Sequence, residues 1–135
     1  MSVAHPSPAV VELRLPARAA LIPTVRTVAS DLAGRADLDL DAIDDLRMAV
    51  DEACTTLVRL TTEEDTLTCI FTLTHDGIEV SVRTRAAWAG AKVSTDSFGW
   101  RVLQTLADEV EARAGDADDP DSIGIALVKH AIIVQ

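Results

Sequence analysis

A chain of 135 residues has room for one hydrophobic core and leaves little for a second domain. Hydrophobic residues make up 48% of it but aromatics only 3%, so the core must be built from Ala, Val, Ile and Leu, which suits tight packing of helices on a sheet. With 22 acidic and 12 basic residues and a net charge of −10, the surface repels phosphate backbones; this argues against direct nucleic-acid binding and suits a basic protein partner, although such acidity also serves solubility alone.

Residues 1–9, with Pro6 and Pro8, read as a flexible leader, followed by a single domain over 10–135. Val11, Leu13 and Leu15 alternate with Val10, Glu12 and Arg14, which predicts a first strand over Val10–Leu15. Ile22, Val25, Val28, Ala29 and Leu32 then recur at helical spacing over roughly 19–33, with Pro23 suited to the first turn and Gly34 to the C-terminal cap. Asp39 or Asp41 can cap a second helix whose stripe is Ile43, Leu46, Val50, Ala53 and Leu57. Asp45, Ala49, Glu52, Thr56 and Arg59 form the row beside that stripe.

From Thr66 to Thr74 the alternation is strict, with Leu67, Cys69, Phe71 and Leu73 on one face. His75-Asp76-Gly77 makes a turn, and Ile78, Val80 and Val82 continue as the return strand of a hairpin. Residues 85–96 lack periodicity and read as loop. Ser97 or Asp96 can cap a third helix carrying Phe98, Val102, Leu103 and Leu106, ending near Asp108 if Val110 and Ala112 belong to a strand. An acidic turn over Asp116–Asp121 precedes a last strand marked by Ile123, Ile125 and Leu127. The order β, α, α, β, β, α, β, β predicts an α+β two-layer sandwich, a mixed, mostly antiparallel sheet with its helices on one face.

Cys54 and Cys69 sit in apolar patterns without metal spacing, so buried reduced thiols are expected; a redox pair would require helix and strand to bring them together. His5, His75 and His130 lack the spacing of a metal site, and no metal ligand set is assigned. No basic-then-apolar signal opens the sequence and no run of 18 apolar residues occurs, so the expected location is the cytoplasm, without membrane attachment.

Two segments carry chemistry. Asp44-Asp45-Leu46-Arg47-Met48-Ala49-Val50-Asp51-Glu52-Ala53-Cys54-Thr55-Thr56 resembles the N box of the gyrase, histidine kinase and MutL class of ATPases, in the version used by the RsbW and SpoIIAB anti-sigma kinases. Gly99-Trp100-Arg101-Val102-Leu103-Gln104-Thr105-Leu106 resembles that family's second glycine box. The likeness spans residues 10–130 and is nearest to actinobacterial anti-sigma factors of the RsbW (UsfX) kind. It implies the histidine-kinase-like ATPase (Bergerat) fold and a protein that sequesters an alternative sigma factor and is countered by an anti-sigma factor antagonist. Dimers are common among such relatives, so a homodimer is a further expectation.

The resemblance makes Glu52 the candidate catalytic base and Glu52, Thr56 and Gly99 the candidate nucleotide-binding residues, with Mg-ATP as the implied cofactor. The i, i+4 spacing of Glu52 and Thr56 lets both face one phosphate and metal cluster. The resemblance also makes Arg26, on the exposed side of residues 19–33, a candidate contact to the sigma factor. Departures weigh against the cofactor. Thr56 replaces the family's asparagine, and a neutral hydroxyl is a poorer ligand for a hard cation than an amide carbonyl. The family's Asp-x-Gly-x-Gly box is missing, since no carboxylate lies between Glu79 and Asp96, and Ser97 stands where an earlier glycine would be. A degenerate nucleotide site is therefore the first reading, and an active ATP-dependent serine kinase acting on the antagonist is the alternative. A redox-responsive binder using Cys54 and Cys69 is a third. Trp88 and Trp100 flank the site and fit either the core edge or a partner contact.

Overall fold

A computed structural model describes residues 9–116 and 118–131; most of the expected leader, residues 1–8, lies outside them. Five strands form one sheet: β1 (Ala9–Pro16), β2 (Thr66–Thr74), β3 (Gly77–Arg85), β4 (Glu109–Ala114) and β5 (Ser122–His130). Their spatial order is β1-β2-β3-β5-β4 and every adjacent pair is antiparallel. Because β3 and β4 both run antiparallel to β5, they run parallel to each other with β5 between them. The helix joining β3 to β4 thus makes a split βαβ crossover. Three α-helices, α1 (Ile22–Arg35), α2 (Leu40–Val58) and α3 (Phe98–Leu106), cover one face, giving the expected two layers.

The core lies where α2 crosses the sheet. Leu46, Ala49, Val50, Ala53, Cys54 and Leu57 of α2 are fully buried against Cys69, Phe71, Val80 and Val82. Each fully buried Val or Leu contributes about 1.5–3 kcal/mol. Ala49 and Ala53 let the helix approach closely, as the shortage of aromatic residues requires. Asp39 is the N-cap of α2, its carboxylate accepting from the Ala42 amide at 2.8 Å. Lys129 of β5, its side chain only 13% exposed, ties the layers together. Its ammonium donates to the Leu106 carbonyl at the C-terminus of α3 at 2.9 Å and pairs with Asp45 of α2 at 3.3 Å.

Two local expectations are corrected. Gly34 does not cap α1; the helix continues to Arg35, and Asp37 takes the left-handed conformation at φ 60°. Leu38 N–H donates to the Ala33 carbonyl at 3.2 Å and Asp37 N–H to Gly34 at 3.3 Å, a Schellman arrangement that buries Leu38 as its apolar closure. Phe98 is not on the buried face of α3. It is 82% exposed, while Trp100, Leu103 and Leu106 point inward, because two residues turn a helix by about 200° and Phe98 therefore opposes Trp100. The β2–β3 hairpin closes on His75 and Asp76 as expected, with Thr74 opposite Gly77. A side chain at Gly77 would overlap the Lys129 carbonyl of β5, so the close approach of β3 and β5 requires glycine there.

Candidate functional site

Glu52 lies on the flank of α2, half-buried, and its carboxylate reaches the first turn of α3. Gly99 is the second residue of that turn. A Cβ built on Gly99 would clash with Oε1 of Glu52, so the carboxylate stands directly over the Gly99 backbone. The N-cap Ser97 accepts a hydrogen bond from the Trp100 amide at 3.1 Å. The chain's own oxygens therefore occupy the start of α3, where the free amides and the helix dipole favour negative charge. Thr56, one turn beyond Glu52 and half-buried, makes no side-chain hydrogen bond among the described residues. The structure thus brings Glu52 and Gly99 into contact and leaves Thr56 beside them on the same helical row.

Between β3 and α3 the chain runs through residues 86–97, held at Ala87, whose amide donates to the Leu60 carbonyl at 2.9 Å, and at Val93, which is buried in the core. No carboxylate precedes Asp96 in this loop. Trp100 is a core residue, 6% exposed, whereas Trp88 is 54% exposed. Met48, one turn before Glu52 on α2, is 55% exposed, and Phe98 is next to Gly99 in the chain. Phe98 thus leaves an exposed apolar side chain at the start of α3, of the kind that suits a protein partner. Sequence periodicity missed Met48 and Phe98: methionine is common on any helical face, and Phe98 fits an inward pattern as well as an outward one.

Arg26 is not a free surface cation. Its guanidinium meets Asp51 of α2 at 2.8 Å, with the two side chains 36% and 35% exposed. The second oxygen of Asp51, Oδ1, is buried without a hydrogen-bond partner among the described residues. Nothing in the sequence pattern pairs residues 25 positions apart on neighbouring helices, so this ion pair was not legible before the fold.

Two open clefts, of about 610 and 360 Å3, lie elsewhere, at one end of the sheet. Arg14, Arg18, Thr68 and Arg83 line the first and Arg83, Arg85 and Asp119 the second; none of Glu52, Thr56 and Gly99 borders either. Cys54 and Cys69 are free, fully buried and in contact across the helix–sheet interface. The hydrogen bond to Cys69 and then burial hold the Cys54 thiol well above its ordinary value of 9.0, so it stays protonated near neutrality. His75 sits in the β2–β3 turn, and His130 Nε2 lies 3.8 Å from Glu109 at the end of the sheet. No group of three or more His, Cys, Asp or Glu among the described residues is placed to hold a metal ion. Among the same residues no helix is long and apolar enough to cross a membrane.

Residues 15–122 match the family model described as the histidine kinase-like ATPase domain. The chain is similar to the anti-sigma-F factor RsbW of Mycobacterium tuberculosis, 39% identical over 115 residues, which cover 84% of this chain and 67% of that protein. It is also similar to serine-protein kinases RsbW of Bacillus cereus, 32% identical over 74 residues, and of Bacillus mycoides, 31% identical over 74. Those alignments cover 53% of this chain and 46% of each relative.

Proposed function

The chain belongs to the histidine kinase-like ATPase domain family, and from that membership we propose that it is an anti-sigma factor with a degenerate nucleotide site. It binds an alternative sigma factor in the cytoplasm and releases it when an anti-sigma factor antagonist competes. The observation that carries this reading is the 39% identity, over 84% of the chain, to a protein named anti-sigma-F factor RsbW. The net charge of −10 suits basic partners, and the exposed Met48, Trp88 and Phe98 offer apolar contacts, Phe98 at the α3 start.

Four features support the loss of Mg-ATP binding. Glu52 covers Gly99, so a phosphate approaching the α3 amides meets a carboxylate instead of an open cradle. Ser97 already accepts from the Trp100 amide. Thr56 brings only a hydroxyl to the metal position. No carboxylate precedes Asp96 in the loop to accept from the adenine amino group, and an unpaired buried donor costs about 1–3 kcal/mol, or roughly ten- to a hundredfold in affinity. The residues present do not fit the cofactor of the kinase relatives.

The test is capture of partners by the tagged full chain from its native cytoplasm, with and without Mg-ATP. Recovery of a sigma factor under both conditions is the expected result; recovery of none would overturn the proposal. A serine kinase is the second reading, favoured by the retention of Glu52 and by the relatives named serine-protein kinases. It requires millimolar Mg-ATP to raise the melting temperature and Glu52→Gln to abolish phosphoryl transfer to the antagonist without loss of fold. An unchanged melting temperature removes it.

A further inference from the structure

Charge on the sheet face turned away from the helices is sorted by row. Arg14 of β1, Thr68 of β2, Arg83 of β3, Gly124 of β5 and Arg113 of β4 stand in register across the sheet. The next row on that face holds Glu12, Ile70, Ser81, Ala126 and Glu111. Strand alternation sets Arg14 and Arg83 outward, since Leu13 and Leu15 pack on the core and Val82 and Thr84 are buried. Neighbouring strands lie about 4.8 Å apart, so the backbones under Arg14 and Arg83 are roughly 10 Å apart, with only the short Thr68 between them. Two long cationic side chains thus flank a low floor that offers a hydroxyl.

These residues line the cleft of about 610 Å3 at the end of the sheet, where Arg18, just past β1, supplies a third guanidinium. The Ala17 amide donates to the Asp65 carbonyl at 2.9 Å, which fixes the chain before Arg18 against the turn that precedes β2. Arg18 and Arg83 form no ion pair or side-chain hydrogen bond among the described residues. Arg14 meets only Glu12, at 3.0 Å, in an exposed pair that solvent weakens. The acids of the cleft do not answer these charges. Asp65 accepts from the Thr61 and Thr62 hydroxyls at 3.5 and 3.3 Å, and Glu63 and Glu64 stand on the exposed turn without an ion pair among the described residues. The neighbouring cleft shares Thr66, Thr68 and Arg83 but is also lined by Asp116, Asp118 and Asp119, which directs an anion to the first cleft.

We propose that the cleft between Arg14, Arg18 and Arg83 is a binding site for a phosphate-bearing small molecule, with the phosphate seated over Thr68. Guanidinium forks match phosphate oxygens two at a time, and the Thr68 hydroxyl adds a donor beneath them. The charge of the rest of the chain narrows the class of ligand. A nucleic-acid backbone or an extended acidic segment would also meet Glu12, Glu63 and Glu64 on a chain of net charge −10. A compact anion is held instead by the three nearby guanidinia, because charges beyond about 8 Å are largely screened at physiological salt. The cleft volume also falls within the roughly 300–1,000 Å3 of small-ligand sites. Neither Glu52 nor Gly99 takes part, and the site does not rest on the anti-sigma reading.

Titration of the nitrogen-15-labelled full chain with inorganic pyrophosphate, followed by amide NMR against sodium chloride of matched ionic strength, tests the proposal. Pyrophosphate is expected to shift the amides of Arg14, Arg18, Thr68 and Arg83 saturably, with a Kd in the millimolar range or below, and chloride is not. Arg18→Ala or Arg83→Ala should each raise that Kd about tenfold. Glu63→Gln/Glu64→Gln should lower it about threefold by removing repulsion. Arg35→Ala deletes the same charge at the end of α1, outside the cleft, and should leave the Kd unchanged; circular dichroism confirms that these exposed substitutions keep the fold. Shifts that stay linear and match those from chloride overturn the proposal. So do saturable shifts centred on Gly99 and Trp100, which would put the anion at the start of α3, and a Kd raised as much by Arg35→Ala as by Arg83→Ala.

Discussion

The carboxylate of Glu52 rests on the backbone of Gly99, in the space that the side chain of any other residue would need. Two opposed effects govern Gly99→Ala. Alanine favours a helical turn over glycine by about 0.5–1 kcal/mol, but its methyl must push Glu52 aside. Only the far end of a flexible side chain is displaced, so the net change is expected to be a destabilisation of about 1 kcal/mol. In a Glu52→Ala background the obstruction is gone and the same substitution should stabilise. Urea unfolding of the four proteins of this cycle reads the coupling directly; additive effects would show that the two residues do not touch in solution.

Local chemistry made much of this fold legible. The strict alternation of Thr66–Thr74, the Gly77 turn, the Asp39 cap and the stripe from Leu46 to Leu57 each follow from neighbouring residues alone. The insertion of β5 between β3 and β4 does not, because a long-range strand pairing leaves no periodic trace in either partner. Glu52 and Gly99 could each be named from their motifs, yet their contact spans 47 positions and depends on how α3 docks on α2. The sequence alone presents Arg26 as an exposed side chain, and only the packing of α1 on α2 brings Asp51 against it. Gly34 and Phe98 depart from their expected places for one reason: a glycine or a phenylalanine near a helix end fits two adjacent roles that local spacing does not separate.

The Schellman closure at Asp37 gives the clearest stability prediction. Aspartate tolerates the left-handed region but at a cost that glycine avoids, and among the described residues the carboxylate makes no side-chain hydrogen bond. Asp37→Gly should stabilise the protein by about 0.5–1 kcal/mol, offset in part by the greater freedom of glycine in the unfolded chain. A melting temperature that fell would mean that α1 does not end as described.

Arg26 and Asp51 separate a structural role from a binding one. Removing Arg26 leaves Asp51 with neither oxygen paired among the described residues; at about one-third exposure, solvent screening limits the loss for Arg26→Ala to about 1 kcal/mol. Asp51→Asn removes the charge of the partner and frees the guanidinium. If Arg26 also contacts the sigma factor, Arg26→Ala should weaken that complex about tenfold while Asp51→Asn leaves it intact or tightens it. Equal effects of both variants on calorimetric affinity would assign Arg26 to the fold alone.

Cys54 couples the core to pH. Its thiol is held protonated by Cys69 and by burial, so its value in the folded chain is raised above the ordinary 9.0. Below the ordinary value, both folded and unfolded chains carry the proton and stability does not change with pH on this account. Above it, the unfolded chain ionises while the folded chain does not, so stability declines by up to about 1.4 kcal/mol per pH unit until the raised value is reached. Urea unfolding between neutral and strongly alkaline pH should show that decline, and Cys54→Ala should flatten it at the cost of a small cavity. The same burial keeps oxidants and thiol reagents away, so neither Cys54 nor Cys69 should react in the native chain and both should react in denaturant. Rapid labelling of either thiol under native conditions would mean that α2 lifts from β2 readily, and would return the two cysteines to consideration as a redox-responsive element.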